Sequence, residues 1–258
     1  MKWFHECDIE WMKARRGFLT ATDIKELLPI TKTGRKRVVD NESYFKILAR
    51  KKANITQDDC ISTGAAARGH ILEPYAIKFF NEHYVSSTPL IHWDDVIIGR
   101  RPDYLSLAFS PDAMDIPMVD NERPVSFTTK MKIIGEVKSY SNEKHFICGN
   151  TPKEYLEERW QIATAMAVAE NIEQAYLIFF NPSVKPEMFF VQYDRDDLKE
   201  EIKIVLRIEQ DFSDWYLSSR SVPINNYIVG NDTHEIEIIN KIMKDEEFNP
   251  ENKRSVTR

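Results

Sequence analysis

The chain has 258 residues, 42% apolar and 11% aromatic, a globular composition with length enough for one large domain or one domain with small additions. No apolar run approaches the ~20 residues that span a bilayer, and the N-terminal Met-Lys-Trp-Phe-His-Glu-Cys-Asp is charged too soon for a secretion signal, so a soluble cytoplasmic protein with no membrane contact is expected. The net charge of −6 opposes nucleic-acid binding in sum, and three scattered cysteines (Cys7, Cys60, Cys148) without a CxxC pair exclude a zinc ribbon or iron–sulfur cluster and read as reduced thiols.

Asp8 to Arg16 reads as a short helix. A second helix begins about Thr22, whose hydroxyl is placed to cap the following amides, and Pro29 closes it. Residues 30–41 are polar and basic around Gly34 and form a loop. Between Lys32 and Lys52 lie Lys32, Arg35, Lys36, Arg37, Lys46, Arg50, Lys51 and Lys52, against only Asp40 and Glu42. That local surplus suits a phosphate backbone, or else a solvated helix face. Helical spacing of apolar residues marks 42–53 and roughly 62–83, the second through Ile71, Tyr75, Ile77, Phe79 and Phe80.

The period then changes. Leu90–Ile98, Leu105–Phe109 and Met131–Lys138 read as strands. Tyr155–Glu170 is helical, with the small residues Ala163, Thr164, Ala165 and Ala167 suited to close packing. Ala175–Phe180 and Met188–Tyr193 are strands, and Asp196–Leu217 is a long amphipathic helix. The alternation predicts an α/β protein. Residues 1–220 are expected as one domain and 221–258 as an irregular C-terminal appendage.

The chemistry concentrates between Ser110 and Lys138. Ser110-Pro111-Asp112 ends one strand, and Gly135-Glu136-Val137-Lys138 lies on the next strong one. Side chains alternate along a strand, so Glu136 and Lys138 share a face while Val137 turns to the core. Two carboxylates and an ammonium on neighbouring strands suit divalent-metal cleavage of a phosphodiester. Asp112 and Glu136 supply hard oxygen ligands, and Lys138 orients or deprotonates water and stabilises the charged transition state. A surface Glu-Lys pair is the plain alternative for the strand. Glu73, on the helix before the strands, is either a further ligand or a solvent-facing residue beside Pro74, and Asp115 is either a neighbour of the site or a turn residue.

Several motifs occur together in order. They are Trp11 to Gly17 with Arg15; Leu19-Thr20-Ala21-Thr22-Asp23; Gly69 to Glu73; Ser110-Pro111-Asp112-Ala113-Met114; Gly135 to Lys138; and Gln161 with Met166 behind them. In this order the chain resembles the lambda-exonuclease and YqaJ-like viral recombinase family of the PD-(D/E)xK nuclease superfamily, over roughly residues 11 to 182. It departs from the family's Ser-Pro-Asp-Gly-Leu at Ala113 and Met114, and has Thr22 where Ser is frequent.

The resemblance implies an αβββαβ core, a mixed sheet flanked by helices, with extra helices at both ends. It implies two Mg²⁺ ions, replaceable by Mn²⁺, held by Glu73, Asp112, Glu136 and the Val137 carbonyl, with Lys138 as catalytic lysine. It places Arg15, Thr22, Ser110 and Gln161 around a 5′-terminal phosphate; choosing Arg15 over Arg16 follows the family's spacing. The basic loop with Arg35 and Arg37 would approach the duplex. The implied reaction is hydrolysis from double-stranded DNA ends, 5′ to 3′, releasing 5′-mononucleotides in phage-type recombination. A homo-oligomeric ring and a single-strand annealing partner are implied likewise. Two other readings stand beside it: a structure-specific or restriction-type endonuclease on the same core, and a catalytically silent DNA-binding scaffold.

Overall fold

The computed structural model describes residues 18–28, 41–52, 64–84, 88–93, 98–99, 106–115 and 131–219. The chain divides into two compact units, Met1–Ser213 and Asp214–Arg258, and every described strand belongs to the first. The helix expected over Asp8–Arg16, the loop over 30–41 (its last residue, Asn41, excepted), the appendage over 221–258, and Trp11, Arg15, Arg16, Pro29, Arg35, Arg37, Cys7 and Cys60 lie outside the described residues.

Six α-helices are described: α1 Ala21–Leu27, α2 Asn41–Lys52, α3 Gly64–Tyr84, α4 Asn142–Gly149, α5 Arg159–Val168 and α6 Lys199–Ser219. The described strands are β1 Phe18–Leu19, β2 Ile91–His92, β3 Ile98–Gly99, β4 Ser106–Phe109, β5 Ala113–Met114, β6 Ile133–Lys138, β7 Gln174–Phe180 and β8 Met188–Asp194. Helix α1 starts after Thr20 rather than at Thr22. Asp23 decides this: its carboxylate accepts from both the amide and the hydroxyl of Thr20 at 2.8 Å, satisfying a donor that the helix start leaves open. Thr22 sits within the first turn, exposed. At the other end Leu28 is extended (φ −61°, ψ 133°), as favoured ahead of a proline.

Five strands form one sheet in the order β2-β5-β6-β7-β8, parallel between β6 and β7 and antiparallel elsewhere. A parallel pair needs a long crossover, which α4 and α5 supply. A second sheet runs β1-β4-β3, with β1 parallel and β3 antiparallel to β4. The ladder passes from β4 to β5 through Ser110, Pro111 and Asp112, and Pro111 has no N–H to continue it. Helix, strands, helix, strand therefore follow as α3, β4–β6, α5 and β7.

Besides the start of α1 and the unanticipated two-residue strands β1 and β5, the elements differ from expectation in four places. The run Leu90–Ile98 contains two short strands, β2 and β3, on different sheets. The helix expected from Tyr155 begins at Arg159, after a 3-10 turn over Lys153–Tyr155. The helix expected from Asp196 opens with another such turn, Arg195–Leu198. Helix α4 was not anticipated; the Ser141 hydroxyl accepts from the Lys144 amide at its start.

The core joins α3 to the larger sheet. Ala76, Ile77 and Phe80 of α3 pack with Leu90, Ala113, Val137, Ile178, Phe180 and Met188 in one buried cluster. Burying a side chain such as Phe80 stabilises by about 2–3 kcal/mol. On α5, Ile162, Ala163, Ala165, Met166 and Ala167 are buried, and the small residues let the helix approach β4 and α1 closely. These two packings set the positions of Glu73 on α3 and Gln161 on α5.

Candidate active site

The alternation of β6 is as the sequence predicts. Val137 joins the apolar cluster with α3, while Glu136 and Lys138 turn to a cavity of about 230 Å³. Gly135 makes that register possible. A Cβ built there would stand 2.8 Å from Leu90 Cδ1 and 3.4 Å from the Ala113 Cβ, so any side chain requires Leu90 to shift. Asp112 ends the Ser-Pro-Asp turn, where the Val137 amide donates to its Oδ2 at 2.7 Å and the Trp93 amide donates to its carbonyl at 2.9 Å. Adjoining strands thus hold the two central carboxylates.

Each acidic group has its own donors. Glu136 Oε1 accepts from Lys138 Nζ at 2.5 Å and also from the Gln161 amide. Glu73 is 15% exposed, with Oε1 at 3.4 Å from His70 Nδ1 and Oε2 at 3.7 Å from His92 Nε2. Thr22, Glu73, Ser110, Asp112, Glu136, Val137, Lys138 and Gln161 all line the cavity. The structure brings together every predicted site residue that it describes.

The electrostatics follow from crowding three carboxylates in a small space. Burial pushes the Asp112 carboxyl well above its ordinary range, and the charges of Glu136 and Glu73 push it further. Burial also raises Glu136, against the opposing pull of Lys138. For Glu73 burial is outweighed by His92 and His70, and its pKa is lowered. Lys138 is buried too, yet Glu136 and Asp112 hold its pKa above the ordinary lysine value. Its ammonium is stable at neutral pH.

Among the described residues no three His, Cys, Asp or Glu side chains already form a metal cage. The donor set nevertheless fits a hard divalent cation. Three carboxylates and the Val137 strand line one cavity, and the Asp112 carboxyl, pushed up first by burial, also feels the negative charges of Glu136 and Glu73, which a cation would offset.

Sequence reasoning missed His92 and Trp93, whose roles depend on β2 pairing with β5 (His92 opposite Ala113). His70 was visible in the Gly69-to-Glu73 motif, three residues before Glu73 and so one helical turn away. Asp115 is a structural tie: its carboxylate accepts from the Lys132 amide at 3.2 Å, and its own amide donates to the Ile133 carbonyl at 3.1 Å. Ala113 is fully buried in β5 opposite Gly135.

Residues 10–171 match the model of the YqaJ-like viral recombinase domain. The chain belongs to that family. No curated protein sequence matches it. Among solved structures, this YqaJ-like protein is similar to an alkaline exonuclease from Laribacter hongkongensis, with 18% identity and a TM-score of 0.52 over 83% of this chain and 98% of that one. It is also similar to a phage-related exonuclease from Haemophilus somnus, with 13% identity and a TM-score of 0.49 over 79% of this chain and 96% of that one. The PD-(D/E)xK-like α/β fold expected from the sequence is the fold of the YqaJ-like chain.

Proposed function

We propose that the chain is a metal-dependent DNA exonuclease that hydrolyses phosphodiesters from duplex ends, 5′ to 3′, releasing 5′-mononucleotides in phage-type recombination. The observation that carries this reading is the gathering of Glu73, Asp112, Glu136 and Lys138 on one cavity, in a YqaJ-like chain. Glu73, Asp112, Glu136 and the Val137 carbonyl would hold two Mg²⁺, or Mn²⁺ in their place, which acidify water and neutralise charge at the scissile phosphate. The Val137 amide keeps Asp112 aimed at the cavity. Lys138, held as a cation beside Glu136, orients the attacking water and meets the charge that develops on the phosphate.

Thr22, Ser110 and Gln161, with Arg15, bind the 5′-terminal phosphate and set the register one nucleotide from the reacting bond; Arg35 and Arg37 approach the duplex. Gln161 already donates to Glu136, so it links the phosphate pocket to the reacting centre. The same reading takes 1–220 as the nuclease unit and 221–258 as an appendage. It further holds that the protein works in the cytoplasm as a homo-oligomeric ring on DNA, beside a single-strand annealing protein.

The test compares linear duplex carrying 5′-phosphates with closed circular plasmid, in Mg²⁺. Conversion of the linear DNA to mononucleotides, with the circle intact, is expected. Rapid nicking of the circle would instead identify an endonuclease, and binding without any cleavage a silent scaffold. Lys138→Ala should lower the cleavage rate about 10²- to 10³-fold while DNA binding persists; an unchanged rate overturns the site.

A further inference from the structure

Three carboxylates face the cavity, and they are held in different ways. Asp112 is fixed by the Val137 amide, and Glu136 by Lys138 and Gln161. Glu73 has neither kind of anchor. Its two oxygens each face one imidazole, Oε1 toward His70 Nδ1 at 3.4 Å and Oε2 toward His92 Nε2 at 3.7 Å.

The two rings come from different elements, His70 from α3 itself and His92 from β2. The residue that follows β2 also holds Asp112, because the Trp93 amide donates to the Asp112 carbonyl at 2.9 Å. Two consecutive residues therefore reach both carboxylates, His92 through its side chain and Trp93 through its backbone. Glu73 sits on a long, flexible side chain. With one oxygen turned to each ring, it lies between the two imidazoles.

From this arrangement we infer that His70 and His92 are positioning residues that clamp Glu73 for divalent-cation binding. The inference rests on the proposed metal-dependent reading. In the tautomer that carries its proton on the nitrogen facing Glu73, each ring presents an N–H across 3.4 or 3.7 Å and leaves the oxygens' remaining lone pairs to the ion. Partners of this kind, behind a metal-binding carboxylate, set its orientation and its affinity for the ion.

The experiment measures Mn²⁺ binding to the full chain by electron paramagnetic resonance of the free ion, without DNA and without turnover. His92→Phe keeps a ring and removes the donor, and should weaken binding by about 10- to 100-fold. His92→Gln places an amide N–H where Nε2 stood and should restore affinity to within a few-fold. His70→Phe, on the more exposed ring, should weaken binding in the same direction, and His70→Asn should restore it. Thermal midpoints in metal-free buffer should stay close to wild type throughout, which separates a clamp from a packing role.

Wild-type affinity in both Phe variants overturns the clamp alone, as does equal loss in the Phe and amide variants. A wild-type chain that binds no Mn²⁺ overturns the metal reading itself, and the clamp with it.

Discussion

At Gly135 a hydrogen atom occupies the space in which a methyl group would meet Leu90 Cδ1 at 2.8 Å and the Ala113 Cβ at 3.4 Å. Gly135→Ala should destabilise the fold by about 1–3 kcal/mol, through overpacking between β5, β6 and the segment at Leu90. Urea denaturation measures this, and an unchanged midpoint would show that Leu90 yields freely. Asp112 invites the opposite experiment. Its carboxyl is forced upward in pKa by burial and by Glu136 and Glu73, so a neutral isostere removes a repulsion. Asp112→Asn should raise the metal-free thermal midpoint while abolishing cleavage, the exchange of stability for function expected where like charges are crowded. Away from the site, burial lowers the pKa of His145, whose Nε2 faces the Pro186 carbonyl at 3.2 Å. Its folded pKa lies below the unfolded value of about 6.5. The contribution is therefore complete above that pH and is lost as the pH falls from it toward the folded pKa, because the unfolded chain takes up the proton first. His145→Phe should flatten the stability profile in that window, as read by thermal midpoints from pH 7.5 down to pH 5.

Among the elements, α1 is a helix of seven residues whose position depends on its first turn. The Asp23 carboxylate is its main local stabiliser, and Asp23→Ala should cost about 1 kcal/mol. Since Thr22 reaches the cavity from this turn, the variant should also weaken discrimination between phosphorylated and unphosphorylated DNA ends, measured as the ratio of their digestion rates. Equal discrimination in Asp23→Ala would remove Thr22 from the proposed phosphate pocket. Helix α4 was missed because its eight residues carry no strong apolar stripe: His145 and Cys148 are buried, whereas Phe146 and Ile147 are exposed. Strand β5 was missed because two residues are too few to show alternation.

On the scale of the folded unit, Asn181 binds segments that are distant in the chain. It is fully buried. Its Oδ1 accepts from Arg68 at 2.9 Å and from the Ser183 amide at 3.0 Å, while its Nδ2 donates to the Tyr140 carbonyl at 3.1 Å and to Asn142 Oδ1 at 2.9 Å. The first turns of α3, the connection from β6 to α4 and the turn after β7 thereby share one side chain. Replacing it with Leu strands several buried polar groups at about 1–3 kcal/mol each. Asn181→Leu should accordingly lower the thermal midpoint by about 10 °C, and a shift of only a degree or two would mean that water replaces the amide at little cost.

Much of the site could be read from the chain alone, because the rules that carry it are local. Strand alternation put Glu136 and Lys138 on one face and Val137 on the other, helical spacing found α2 and α3 nearly to their ends, and the ordered motifs led to the family and the fold. What the tertiary structure decided is where separate segments meet. Docking of α3 on the sheet brought Glu73 to the cavity that Asp112 lines, and pairing of β2 with β5 set His92 against Glu73. Packing of α5 delivered Gln161 to Glu136. Periodicity and capping are settled within a few residues of sequence. The meeting of distant side chains depends on the summed packing of the core, which no short stretch of sequence records.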